Sequence, residues 1–330
     1  MLLFIIRRFY DSGGGYNQIT NGLKTSAGFV VDMLKREGHK ARLVEAIDGN
    51  CIDRLVTEFK PRIVILEALW VTPEKLKELK HLHPHVRWVV RIHSEMAFLG
   101  MEGISLEWLA AYLKLGVEVA FNSAQTREDF EAIGKSLYLP NWYPVRSLRY
   151  KHERNDDCSD IVNIGCFGAI RPLKNQLEQA LAAIRYARHK GKKLRFHMNG
   201  TRQEQGGNQN LKSIEAAIKA TGNELVLHPW LEHEEFLELV QKMDFCLQVS
   251  ISESFNLVSA DAVSLGVPLI GSAAIRWLPV RSQAPTDSAK VIAEYMGHTD
   301  QITVVMNHTA LADYSNKSAK TWNSFAHFGD

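Results

Sequence analysis

Leu2 to Ile6 form an uninterrupted apolar run, the pattern of a strand buried on both faces. The turn-forming stretch DSGGGYNQ follows, and then Ala27, Val30, Val31 and Leu34 recur at i, i+3, i+4 and i+7, one face of a helix that Gly38 ends. A second strand over Ala41 to Val44 completes a β-loop-α-β unit, the building block of parallel sheets. The pattern repeats: strands are predicted at Arg62 to Leu66, Trp88 to Ile92 and Val117 to Phe121, with helices over Pro73 to Lys80 and Leu106 to Leu115.

After PNWYP the chain turns charged and non-periodic, and a second series then begins. It comprises strands at Ile161 to Cys166, Leu194 to Met198, Leu225 to Leu227, Phe245 to Val249 and Val267 to Ile270. A helix over Leu177 to Arg188 carries Leu177, Ala180, Leu181 and Ile184 on one face; another precedes Gly266, and a polar helical tail starts near Ala310. The expected fold class is α/β, with two Rossmann-like doubly wound domains facing a central cleft: residues 1–145, a linker over 146–160, and residues 161–330 including the tail.

Composition narrows the partners. The 330 residues suit two domains of ordinary size. Lys and Arg total 39 against 37 Asp and Glu, so no global field draws in a polyanion. Cys51, Cys158, Cys166 and Cys246 are scattered and contain no C-x-x-C pair, which argues against a disulfide framework or a cysteine-rich zinc module and fits a cytoplasmic location. The opening MLLFII runs into Arg7 and Arg8, the reverse of a signal peptide's order, and no apolar stretch is long enough for a membrane span. No integral membrane association is expected.

Fold alone leaves the chemistry open, so the strand-to-helix loops must supply it. Gly13, Gly14 and Gly15 follow the first strand, where backbone amides can approach a phosphate or sugar. They do not form the G-x-G-x-x-G dinucleotide fingerprint, which argues against an NAD-dependent oxidoreductase. In FGAIRPLKNQ, Gly168, Arg171 and Lys174 stand just before a helix, where cations oppose the helix dipole and call for another purpose, such as neutralising a diphosphate. In SISESFNLVSADAVSLGVPLIGS, Glu253 and Asp261 lie on either side of a helix start. The amides of Ser254, Phe255 and Asn256 sit between them as candidate anion or sugar ligands; the structural alternative is a cap by Ser254. His81, His83 and His85 form H-x-H-x-H, but Pro84 interrupts it and no acidic or cysteine partner adjoins. An exposed connection, not a metal site, is expected.

With these segments in order, the chain resembles the GT-B nucleotide-sugar glycosyltransferases of the large retaining group, whose Glu-x(7)-Glu motif reads here Glu253-SFNLVSA-Asp261. The resemblance runs through GGGYNQITNGL, EGHKARLV, FKPRIVILEAL, VVRIHSE, FNSAQTREDF, YLPNWYP, FGAIRPLKN and LGVPLIGS. It implies that Glu253 and the following amides lie at the donor sugar, that Asp261 accepts hydrogen bonds from the ribose, and that Arg171 and Lys174 hold the diphosphate beside Gly168. It places His93 beside the transferred sugar and Gly14 and Gly15 on the phosphate- and acceptor-facing loop. It also implies catalysis without a metal or other cofactor. Asp261 is one methylene shorter than the usual glutamate, and the short chain suggests trimmed loops or a reduced terminal crossover.

The implied reaction is retaining transfer of a sugar from a nucleoside-diphosphate sugar to an acceptor hydroxyl, with Tyr16, Arg91 and Glu95 as acceptor-side candidates. The acceptor is a small molecule or glycan, or a hydroxymethylated base in duplex DNA. For the latter, Arg7, Arg8, the Lys35/Arg36/Lys40/Arg42 cluster and the Lys75 to Arg91 stretch with Trp88 offer cations near an aromatic. The alternatives are a nucleotide-sugar epimerase or a non-catalytic nucleotide-binding protein on the same fold.

Overall fold

A computed structural model describes residues 1–8, 21–148 and 160–327. Gly13, Gly14, Gly15, Tyr16 and Cys158 lie outside the described residues, as does most of the expected linker. The chain divides into two compact units, Met1–Pro144 with Tyr314–Asp330, and Val145–Asp313.

In the first unit, β1 (Leu2–Arg7), β2 (Ala41–Ala46), β3 (Ile63–Glu67), β4 (Arg87–Ile92), β5 (Glu118–Phe121) and β6 (Leu137–Tyr138) form a parallel sheet in the order β2-β1-β3-β4-β5-β6. Alternate residues feed two cores. Leu3, Ile5, Val64, Leu66 and Val90 pack on one face, and Leu2, Phe4, Ile63, Ile65 and Val89 on the other, which is why these strands read as continuous apolar runs. Helix α1 (Asn21–Arg36) buries the face its spacing predicted, with Ala27, Val30, Val31 and Leu34 all sealed. Helices α2 (Cys51–Phe59), α3 (Pro73–Leu82), α4 (Met96–Glu102), α5 (Ser105–Lys114) and α6 (Ala124–Phe130) link the later strands. Thr72 caps α3 and Ser123 caps α6 by accepting hydrogen bonds from backbone amides.

The second unit's sheet contains β7 (Ile161–Gly165), β8 (Lys193–Asn199), β9 (Glu224–His228), β10 (Phe245–Gln248) and β11 (Leu269–Gly271), parallel in the order β11-β10-β7-β8-β9. Between them run α7 (Gln176–His189), α8 (Gly207–Ala220), α9 (His233–Gln241) and α10 (Leu257–Ser264), followed by α11 (Ala289–Gly297). Helix α7 buries Ala180 and Ile184 of the expected face and packs Leu177 against the core, but Leu181 is exposed and Ala183 and Ala187 are buried in addition. The small side chains allow close packing against α8 and α11. Gly207 opens α8 where a Cβ would stand 2.1 Å from the Ile170 carbonyl oxygen, so no larger residue fits without moving that loop.

The final helix α12 (Gln301–His327) is longer than the expected tail and is not polar throughout. Trp322, Phe325 and Ala326 join the first unit's core against Phe4 and Leu139, so its last turns return to that unit. The expected placement of the whole tail in the second domain is therefore corrected: apolar positions hidden among polar ones put its last turns in the first unit's core.

Candidate functional site

In an open parallel sheet, ligands bind beyond the carboxyl ends of strands where the strand order reverses. In the second unit that place lies between β7 and β10, whose following loops carry Gly168, Arg171, Lys174 and Glu253. Gly168 has φ +115°, a conformation suited to glycine, and its amide donates to Asn199 Oδ1 at 2.9 Å. Lys174 Nζ meets Glu253 Oε1 at 2.5 Å, and an added Cβ at Gly168 would stand 3.8 Å from the Lys174 side chain. The structure thus brings Gly168, Lys174 and Glu253 together.

Buried amides hold the two loops in place. Asn175, itself left-handed at φ 55°, donates to the Val249 and Thr286 carbonyls. Gln179 accepts from the Val249 amide at 2.8 Å and donates to the Lys174 carbonyl at 2.7 Å. The Ile251 amide donates to the Leu173 carbonyl. Arg171 turns to Glu204, which also takes Arg202 at 2.6 Å.

The helix after Glu253 starts later than the capping reading supposed. Asn256, not Ser254, is the cap: its side chain accepts from the Ser259 amide at 2.8 Å while its Nδ2 donates to Gln248. Ser254 and Phe255 precede the helix, and the Phe255 carbonyl accepts from the Trp277 indole. In the same segment the buried hydroxyls of Ser250 and Ser259 have no hydrogen-bond partner among the described residues. Asp261 is 1% exposed and accepts from His233 Nε2 at 2.8 Å, so the imidazole takes the carboxylate oxygen expected to meet a ribose. Burial alone lowers the pKa of His233, but Asp261's hydrogen bond and charge outweigh it and raise it.

In the first unit the strand order reverses between β1 and β3, and Glu67 ends β3. Glu67 and Arg91 are both fully buried, with Arg91 Nη1 at 3.1 and 3.2 Å from the two carboxylate oxygens. Arg91 also donates to the Leu139 carbonyl and to Asn141, and the Trp322 ring lies 5.2 Å from its guanidinium carbon. Arg91 therefore has no surface to offer an acceptor; its expected acceptor-binding place is corrected to a buried counter-charge. His93, beyond β4, bonds Glu67 through Nε2, and Asn122 Nδ2 lies 3.4 Å from its Nδ1. Burial pushes the Glu67 carboxyl up, but Arg91 and His93 outweigh it and hold it below the usual range. Burial, then Arg91, lowers the His93 pKa. Glu95 is half-buried and accepts from the Thr126 hydroxyl.

The sequence reading missed Glu67, Asn122, Asn141 and His233. Glu67 and Arg91 had a signal, a charge at or near the end of each of two largely apolar strands; His233 had none, because its partner lies 28 residues away. Other expectations shift too. Trp88 is 2% exposed and belongs to the core, so it does not join a basic surface. Arg8 and Lys24 pair with Glu45, and Arg87 with Glu118. His83 is buried against Asp53 rather than lying in an exposed connection, and among the described residues no group of three or more His, Cys, Asp and Glu is arranged to hold a metal. No helix among those residues is long and apolar enough to cross a membrane.

Residues 149–310 match the family described as family 4 glycosyltransferase in conflict systems. No protein with a curated description matches by sequence. Among solved structures, an OtsA apo structure superposes with a TM-score of 0.70 at 11% identity over 100% of this chain and 99% of its own. The E. coli trehalose-6-phosphate protein bound with UDP-2-fluoro glucose gives 0.63 at 11% identity, covering 100% and 99%. A glycosyltransferase from Rickettsia africae ESF-5 gives 0.66 at 12%, covering 99% and 98%. Residues 149–310, across the second unit, thus match a glycosyltransferase family, and the two parallel sheets share the GT-B fold of these solved structures.

Proposed function

We propose that the chain transfers a sugar, with retention of anomeric configuration, from a nucleoside-diphosphate sugar to an acceptor hydroxyl. The observation that carries this reading is the convergence of Gly168, Lys174 and Glu253 at the point where the second sheet's strand order reverses. Lys174, with Arg171 near it in sequence, supplies charge for a diphosphate; the unpartnered hydroxyls of Ser250 and Ser259 are further donors in the same segment. Glu253 and the Ser254, Phe255 and Asn256 segment are assigned to the donor sugar. Asp261 is assigned to the nucleoside, which it can meet once His233 shares or releases it. In the first unit, His93 is assigned to the transferred sugar and Glu95 to the acceptor; Gly14, Gly15 and Tyr16, proposed for the same side, lie outside the described residues.

In this reaction the bond between the anomeric carbon and the leaving diphosphate oxygen breaks, and the acceptor oxygen bonds to that carbon on the same face. The acceptor proton passes to the departing phosphate, which Arg171 and Lys174 neutralise as charge develops. No metal or cofactor is assigned a step.

The test is release of UDP from UDP-glucose and a panel of other nucleotide sugars, with small hydroxyl acceptors or hydroxymethylated duplex DNA added separately. Lys174→Ala and Glu253→Ala are each expected to lower turnover by about 10²–10³-fold, the cost of removing one transition-state donor, while unfolding stays cooperative. Wild-type turnover in either variant would overturn the site. A stimulation confined to DNA, falling steeply with salt, would assign the acceptor to nucleic acid.

A further inference from the structure

Glu67 is a buried charge that the proposed reaction does not use. It ends a strand whose other residues are all apolar and buried, and no solvent reaches it. A carboxylate in such a place requires compensation, and Arg91 provides it through two contacts near 3.1 Å. The guanidinium is anchored in turn by the Leu139 carbonyl at 2.8 Å and Asn141 at 2.6 Å, with Trp322 over it. None of these partners approaches bulk water. Among the described residues of the network His93 is the most exposed, with 15% of its side chain open.

We propose that Glu67 is a positioning residue, fixing His93 as the tautomer that carries its proton on Nε2 and turns Nδ1 into the basic nitrogen. The inference rests on the reading above that places His93 at the transferred sugar.

An ionised carboxylate only accepts hydrogen bonds, so the Nε2 atom that meets Glu67 must be the one that bears the hydrogen. The other nitrogen then holds the lone pair, in agreement with the Asn122 amide nitrogen, a donor, at 3.4 Å from Nδ1. The lowered pKa of the ring keeps it neutral near pH 7, so a defined tautomer exists to be selected. Arg91 serves this arrangement indirectly: by holding Glu67 below its ordinary pKa, it keeps the carboxylate an acceptor. Without Glu67 the ring would be free to exchange tautomers or flip, and Nδ1 would no longer be held as an acceptor.

The experiment reads the tautomer directly, from the nitrogen shifts and couplings of the His93 ring in the ¹⁵N-labelled full chain, alongside turnover of UDP-glucose. Wild type is expected to show Nε2 protonated and Nδ1 bare. Because removing Glu67 alone strands Arg91 as an uncompensated buried charge, the variant of choice is the double change Glu67→Leu with Arg91→Met. It is expected to retain UDP binding, to show mixed His93 tautomers, and to lose about 10- to 100-fold in kcat with little change in KM for UDP-glucose, the usual range for losing an orienting partner of a functional histidine. A wild-type ring protonated on Nδ1, or a double variant that keeps both the tautomer and the turnover, overturns the inference and leaves the proposed reaction standing. Full turnover in His93→Ala overturns the role given to His93 itself, and the positioning role with it.

Discussion

Several histidines in this chain are held neutral by their surroundings, and His197 is the clearest. It lies in β8 with His228 Nε2 at 2.9 Å and Asn163 Oδ1 at 3.2 Å, and burial, reinforced by the charges of His228 and Arg195, brings its pKa down to about 4. The unfolded chain binds that proton near pH 6.5. Stability from this group is therefore complete above about pH 6.5 and is lost as the pH falls toward 4, because the unfolded state takes up the proton first. His228, lowered by burial as well, acts in the same direction. Denaturant midpoints measured from pH 7 to pH 4.5 are expected to fall, and His197→Gln should flatten that slope; an unchanged slope would show that the pair is not the titrating element. The same contrast between residue type and setting separates Lys174 from Arg91. Both stood out in the sequence as cations in loop or strand positions of interest, yet Lys174 reaches Glu253 near the surface while Arg91 is sealed beneath Trp322.

Among the elements, the final helix carries the most consequence for its size. Trp322 is completely buried, donates to the Pro140 carbonyl at 2.7 Å, and packs between Phe4 and Phe325 as well as over Arg91. Truncating it leaves a large cavity above the Glu67 and Arg91 pair. Trp322→Ala is expected to cost about 3–5 kcal/mol of stability, measurable by urea unfolding. A loss below 1 kcal/mol would mean that the helix end is dispensable to the first unit. The strands and helices themselves were largely legible, because two-sided burial writes each parallel strand as a short apolar run and helix faces recur every three or four residues. The expected strand positions agree with the observed ones to within a residue or two. On α7 only Leu181 was misplaced, because alanine and glutamine fill the rest of the closely packed side. The tail was misread because its buried positions are spaced among serines and asparagines that a periodicity count takes as surface.

At the scale of the whole molecule the two units have separate cores, and the donor reading assigns the nucleotide to one of them. A ligand bound by the folded state alone stabilises it by mass action, by about 2.7 kcal/mol at one hundred times its Kd. UDP is therefore expected to raise the thermal transition of the unit containing Lys174, and Lys174→Ala should abolish the rise. Calorimetry showing no shift with UDP or any other nucleoside diphosphate would remove the donor assignment. The net charge of +2 and the carboxylate partners of Arg8, Lys24 and Arg87 leave the nucleic-acid acceptor dependent on a measured salt slope rather than on a basic face.

Sequence alone determined the α/β class, the alternation of strands and helices, two successive parallel series, and the loop positions of Gly168, Arg171, Lys174 and Glu253. Those properties are local: hydrophobic period, turn residues and short motifs depend on neighbours a few positions apart. Only the tertiary structure decided which distant groups meet. Glu67 joins Arg91 and His93 because the sheet places β3 beside β4, His233 takes Asp261 across two helices, and Trp322 returns to Pro140 over 182 positions. Such pairings pit the desolvation of charges and aromatic rings against the partners folding can supply, and no window along the chain contains both sides of that balance.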